Sequence, residues 1–325
     1  MRAFIAWFVC ISVLLGASSN VGAEQECVFL NAHGTIERVK NLNSVPKAFR
    51  ARVVCNDTEV VAIAAPGAID VGRDSRTASF ITDLGPMKVR WAKATEDCFG
   101  RSPARAVGEA AQAVTRAIRT GRFTADVRYA RREWQVVFLE KAAAFTQIPL
   151  DLTLSRHPGF MLPPDKIYLV SDLIAPNCDR SLATDRALQR ILLHEMGHAI
   201  EFIALGERHG DSDRERAEGF ATWFEFYAHG EPEQLAAEYR AVLGVRAGMP
   251  VPMVSELGAF RGTREDYLRA ALRVQAIVTK RGISSLMQVY SVVREKRVSF
   301  NAAVEESTGW DSATLARQIE GIVNR

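Results

Sequence analysis

The chain has 325 residues, 48% of them apolar and 24% charged, enough for one large domain or two ordinary ones with a buried core. Its 41 basic and 38 acidic side chains leave a net charge of +3. That near balance argues against nucleic acid and against an acidic membrane surface as partners.

Arg2 precedes an apolar run, AFIAWFVCISVLL at 3–15, and small residues follow as far as Val21-Gly22-Ala23. A positive start, a short apolar stretch and an A-x-A-like end predict a secretory signal peptide over 1–23. The run falls short of the ~20 residues a membrane-spanning helix needs; an uncleaved anchor is the alternative. Removal of the segment takes Arg2 and no acid, so the mature charge becomes +2. No stable membrane insertion is expected after removal, and the expected destination is secreted or periplasmic.

Export changes how the cysteines read. Cys10 leaves with the signal, and Cys27, Cys55, Cys98 and Cys178 remain without a C-x-x-C pair. A thiolate metal cluster is disfavoured, and four cysteines in an oxidising compartment suggest two disulfides. Of three pairings, Cys27–Cys55 and Cys98–Cys178 are preferred; four buried thiols are the alternative.

Residues 24–65 alternate short apolar runs with turn residues, and strands are predicted at ASFIT and MKVRW within 66–100. Residues 24–100 thus read as a small β-rich N-terminal module. From Ser102-Pro103 onward the pattern is helical, over 103–120 and about 131–146, where Trp134, Val137, Phe138 and Lys141 fit helical turns. DLTLS and KIYLV at 166–170 read as strands, separated by a loop rich in Pro and Gly. A sheet edge beside the next helix would suit an extended peptide. That helix, capped by Thr184 or Asp185, runs to about Leu205. Further helices are predicted at about 214–228, 232–244, 263–280, 283–294, 299–307 and 311–323. Residues 101–325 form the second domain.

The helix ending near Leu205 contains His194-Glu195-x-x-His198 within ILLHEMGHAIE. Residues four apart share a helix face, so both imidazoles can address one point. Zinc binds imidazole at ~2.0–2.1 Å in tetrahedral geometry. Glu195, one position along, stands beside such a metal, where it could take a proton from water and pass it to a leaving amine. The neighbours of the motif are uncharged, as a buried active-site helix requires. Gly197 costs about 1 kcal/mol of helix stability against Ala, which makes sense if something packs closely there. The alternative is two core histidines bonded to carbonyls.

A catalytic zinc keeps three protein ligands. Ala204 stands where a third histidine of one zinc-site class would fall, and His209 reads as a surface residue in a charged loop. Glu218, opening the otherwise apolar GFATWF on the next helix, is the better candidate. Glu225, two turns on, could hold the far nitrogen of a ligand histidine.

These residues resemble the gluzincin zinc peptidases, and EGFATWFE at 218–225 is similar to the glutamate-bearing helix of the M1 and M61 aminopeptidase-like families. The resemblance implies one zinc per chain on His194, His198 and Glu218, with Glu195 as general base and acid. Nineteen residues separate His198 from Glu218, one more than is usual in M1 enzymes. No Gly-Ala-Met-Glu-Asn segment lies upstream to grip a free substrate N-terminus. The tail, from YLRAALRVQAIVTKRG to the final helix, is similar to short peptidase-MA-like domains, in which a tyrosine supports the oxyanion. Tyr267 matches it, with Tyr227, His229 and Tyr290 as substitutes.

The implied fold is α+β and zincin-like: a short, mostly antiparallel mixed sheet with the active-site helix, and a helical C-terminal lobe. The implied function is zinc-dependent hydrolysis of peptide or protein substrates, with internal cleavage favoured over aminopeptidase action. A non-catalytic exported zinc-binding or interaction protein, and a zinc hydrolase acting on a non-peptide amide, remain as alternatives.

Overall fold

The computed structural model describes residues 26–30, 36–39, 44, 54–56, 74–121, 123, 133–141, 157–162, 165–205, 213–246, 249 and 260–324. The expected signal peptide, the DLTLS strand and His209 lie outside them. Among the described residues no helix is long and apolar enough to cross a membrane.

Among the described residues there are two sheets. The first pairs β1 (Glu26–Leu30) antiparallel with both β2 (Ile36–Val39) and β3 (Val54–Asn56). Its register sets Cys27 opposite Cys55; the side chains of these strands are outside the described part of the molecule.

The second sheet has five strands in the order β4-β5-β6-β8-β7. β4 (Ser75–Thr82) and β5 (Gly85–Ala92) form a hairpin whose turn places Gly85 at φ 118°. β5 runs parallel to β6 (Trp134–Leu139), and β6 parallel to β8 (Lys166–Val170). β7 (Gly159–Leu162) pairs antiparallel with β8 at the edge. The sheet is therefore evenly mixed and not mostly antiparallel. The strands expected at ASFIT and MKVRW exist, but β5 pairs with β6 across the expected boundary at 100, so they belong to the larger sheet. Such pairing is non-local, and nothing in a strand's own pattern names its partner.

Within the helix expected over about 131–146, Trp134–Leu139 form strand β6 instead. Trp134, Val136, Phe138 and Leu139 are each 0% exposed. A strand between two parallel neighbours is covered on both faces, so its sequence is a continuous apolar run and not an alternation. Adjacent Val136 and Val137 also favour the extended backbone.

α1 (Lys93–Phe99) leads directly from β5, and α2 (Pro103–Gly121) buries Ala106, Val107, Ala110, Ala111 and Val114 at helical spacing. A four-residue helix, α3 (Ser171–Ile174), follows β8 and leads to a 3-10 turn at Pro176–Cys178. There the disulfide Cys98–Cys178, as preferred from the sequence, ties α1 to the approach of the next helix across 80 positions, with 4.5 Å between the Cα atoms.

α4 (Leu182–Ala204) starts at Ser181, whose Oγ accepts from Thr184 N at 3.3 Å, so Ser181 is the cap and not Thr184 or Asp185 as expected. It packs on α2 and on α5 (Arg214–His229). α6 (Gln234–Val242) and α7 (Arg264–Arg281) follow, then α8 (Ile283–Lys296), α9 (Phe300–Thr308) and α10 (Ser312–Val323). Two glycines permit the close helix crossings. A Cβ on Gly197 would sit 3.1 Å from Ala221 Cα, and one on Gly219 would sit 2.9 Å from the Ala270 carbonyl oxygen. α5 is thereby held tightly between α4 and α7.

Candidate metal centre

His194 and His198 lie one turn apart on α4, with ring centroids 4.8 Å apart. Glu218, in the second turn of α5, points Oε2 between them. That oxygen is 3.3 Å from Nε2 of His194 and 3.3 Å from Nε2 of His198. Ligand atoms of the three residues all lie within 4.8 Å of one another. Ligands at ~2.0–2.1 Å from a tetrahedral zinc are separated from each other by about 3.3–3.4 Å. The donor set, two imidazoles and one carboxylate, suits zinc, and the two Glu218–imidazole distances match that separation.

The surroundings orient these groups. Nδ1 of His194 faces Glu225 Oε2 at 3.5 Å. Glu225 Oε1 accepts from Nε of Arg190, which stacks its guanidinium 4.6 Å from the Phe226 ring centre. Arg190 also donates to Glu238 at 3.1 Å, and Glu238 pairs with Arg264. The chain of charges runs from the imidazole to the surface. Burial favours a protonated Glu225, but His194 and then Arg190 outweigh it and hold the carboxyl below its usual range.

Behind the ligands, Arg216 donates to Glu201 Oε1 at 3.0 Å, and the Tyr290 hydroxyl donates to the same oxygen at 3.0 Å. Glu201 lies three residues after His198 and Arg216 two before Glu218, so the buried pair joins the helices that carry His198 and Glu218 close to those residues.

Glu195 is 5% exposed, and its Oε2 is buried with no hydrogen-bond partner. Burial raises its pKa; His194 and His198 pull the other way, and Glu218 and Glu225 add to the rise. The edge strand β7 passes directly beside it. A Cβ on Gly159 would lie 3.0 Å from Glu195 Oε1 and 2.8 Å from Ile191, so only glycine leaves the carboxylate its place.

Tyr267, on the first turn of α7, has its ring centroid 6.3 Å from that of His194. Its hydroxyl accepts from Arg214 Nη2 at 3.3 Å. Burial and then the Glu218 carboxylate push it up to about 12 against the pull of Arg214, so the phenol keeps its proton. Of the alternatives, the Tyr290 hydroxyl is bonded to Glu201, the Tyr227 ring stacks on Trp223 at 5.0 Å, and His229 Nδ1 lies 3.2 Å from Glu231 Oε2 without a hydrogen bond.

Reading the sequence missed Arg190, Arg214, Glu201, Arg216 and His157, the last close enough to feel the charges of Glu218, Arg214 and His194. A signal existed for two of them. Arg190 precedes His194 by four residues and Arg214 precedes Glu218 by four, the spacing of one helix face.

No family model and no curated protein sequence matches the chain. Among solved structures, the chain is similar to a two-domain M1 zinc metallopeptidase, a glutamate-to-alanine mutant bound to L-arginine. The identity is 16% and the TM-score 0.39. The match covers 77% of this chain and 51% of the other, so the chain spans about half of that neighbour's length.

Proposed function

We propose that this protein is an exported zinc peptidase that hydrolyses peptide bonds within peptide or protein substrates. The observation that carries the reading is the convergence of His194, His198 and Glu218 beside a buried carboxylate with a free oxygen on Glu195. A site that only stapled the fold would use a fourth protein ligand and have no need of Glu195. Among the described residues, the group that could hold a metal has three members.

His194, His198 and Glu218 would hold one zinc, and Glu225 would fix the ring of His194. The ion, when bound, supplies a Lewis acid that acidifies water and polarises a carbonyl oxygen. Glu195 takes the proton of the attacking water and returns it to the departing amine, a task suited to a carboxylate whose pKa burial has raised. Tyr267 donates its hydroxyl proton in a hydrogen bond to the oxygen that becomes negatively charged. Gly159 leaves β7 close to Glu195, where an extended substrate could add to the sheet edge. The disulfide Cys98–Cys178 suits an oxidising compartment outside the cytosol.

The test is elemental zinc analysis with cleavage of a broad peptide library, on wild type, Glu195→Gln and Glu218→Ala. Wild type should hold one zinc and cut, Glu195→Gln should keep zinc and not cut, and Glu218→Ala should lose zinc. Zinc without cleavage would move the reading to a binding protein or a non-peptide hydrolase. Absence of zinc from wild type would overturn it.

A further inference from the structure

The charged groups around the ligands divide sharply in how they are used. Glu195 is buried, Glu225 is paired with Arg190 behind His194, and Glu218 Oε2 faces the two histidines. Asp213 accepts from Arg216 N as the cap of α5. None of these carboxylates is placed to receive a substrate's free amine. Arg216 is committed to Glu201, and its side chain is 1% exposed.

Arg214 differs. Its side chain is 51% exposed, yet its head is held in place. Nη2 reaches Tyr267 Oη at 3.3 Å, Nε stands 3.5 Å from Glu218 Oε1, and the guanidinium carbon lies 5.6 Å from the Phe260 ring centre. Both polar contacts are long, and one is to a neutral phenol. The Glu218 oxygen concerned is the one turned away from the histidines. Nη1 has no hydrogen-bond partner among the described residues. A planar fork of donors that is half exposed, held by two long contacts and packed beside Gly262, matches a carboxylate and adds little ordering cost on binding.

We infer that Arg214 anchors a substrate carboxylate, so that the preferred substrates carry one within about a residue of the bond that is cut. The inference rests on the peptidase reading above and names its substrate class. The placement follows from the contacts. Arg214 touches both a ligand carboxylate and the phenol beside the ligands, and a peptide advances only ~3.3–3.6 Å per residue. The carboxylate has two possible sources, a peptide's own C-terminus or an Asp or Glu side chain, and Arg214 would engage them by the same fork.

The experiment uses zinc-loaded full-length mature protein and matched peptides. One pair differs only in a C-terminal acid against an amide. A second pair differs only in Glu against Gln next to the cleaved bond. The readout is the kcat/KM ratio within each pair, for wild type, Arg214→Met and Arg214→Lys, with zinc content and thermal midpoint as folding controls. Wild type should favour the carboxylate in at least one pair by ~10-fold or more, the worth of a charge-assisted hydrogen-bonded contact. Arg214→Met should bring that ratio to within about twofold and Arg214→Lys should restore part of it. The pair that responds identifies the source.

A wild-type ratio near one in both pairs would overturn the inference. So would a ratio that survives Arg214→Met while every peptide slows alike, since Arg214 would then act through Tyr267. If wild type cuts no peptide, the peptidase reading fails separately. Equilibrium binding of the same pairs to zinc-loaded Glu195→Gln and Glu195→Gln/Arg214→Met then decides the anchor. A carboxylate preference that depends on Arg214 supports it, and none overturns it.

Discussion

Arg216 and Glu201 form an ion pair at 3.0 Å with side chains each 1% exposed, joining the two helices that carry the ligands. Replacing Arg216 takes away the cation that faces the buried Glu201 carboxylate. Arg216→Met is therefore expected to cost ~3–5 kcal/mol of stability in the zinc-free protein. Tyr290→Phe removes one hydrogen bond to the same oxygen and should cost only ~1 kcal/mol. Chemical denaturation in excess chelator measures both. A loss under about 1 kcal/mol for Arg216→Met would mean that the pair does not hold the helices in register.

Glu225 faces the far nitrogen of His194, and Arg190 holds Glu225. Glu225→Ala should weaken zinc binding by ~10–100-fold. Arg190→Met should act in the same direction and less strongly, because it loosens the carboxylate without removing it. Competition against a chelator of known affinity gives both values. Unchanged affinity in Glu225→Ala would remove its orienting role.

Zinc uptake should release protons. Burial works against a charged imidazole at His194, but hydrogen bonding to Glu218 and Glu225 and the field of Glu195 outweigh it and raise the group to about 10 in the zinc-free protein. At pH 7 that ring therefore carries a proton, which it must lose to bind a metal. Zinc affinity should climb with pH until about 10. Titration calorimetry in two buffers of different ionisation enthalpy should show about one proton or more released per zinc at pH 7. Heats independent of buffer would contradict this.

Asp266 closes the start of α7, accepting from the backbone N–H of Arg261 and Thr263 and from the Thr263 hydroxyl, and pairing with Arg269. Burial alone would raise its pKa, but these donors outweigh it and hold the group below the usual 3.8. A pKa lower in the folded than in the unfolded chain gives stability that is complete above the unfolded value and lost as pH falls through the folded one. The stability gap between wild type and Asp266→Asn should thus be constant from pH 5 to 7 and shrink below about 4. A gap unchanged at low pH would show that the carboxylate's charge is not what matters.

Much of the centre was legible because it is built on helices. His194 and His198 meet through spacing alone, and a glutamate opening an apolar helix needs a buried partner. Gly197 stood out for the same reason, and Ala221 is the neighbour its missing side chain admits. What pairs across long stretches of chain was not legible. β6 looks helical in isolation because strands covered on both faces lose their alternation. β7 is four residues between prolines, and its importance lies in Gly159 touching Glu195, which no local pattern records. Arg190 and Arg214 read as solvated charges on helix faces until the carboxylates opposite them are in place.

The candidate ligands His194, His198 and Glu218 come from two touching helices, and the two furthest apart in the chain are separated by 24 positions. The two parallel pairings of the central sheet, β5 with β6 and β6 with β8, in contrast join strands across long crossovers. Contacts of short sequence separation form early in folding and distant strand pairings late. The α4–α5 hairpin can thus reach its binding geometry before the sheet closes around it. A metal captured at that stage would quicken refolding and slow unfolding little, so that it would take part in the order of assembly and not merely ride in the finished molecule.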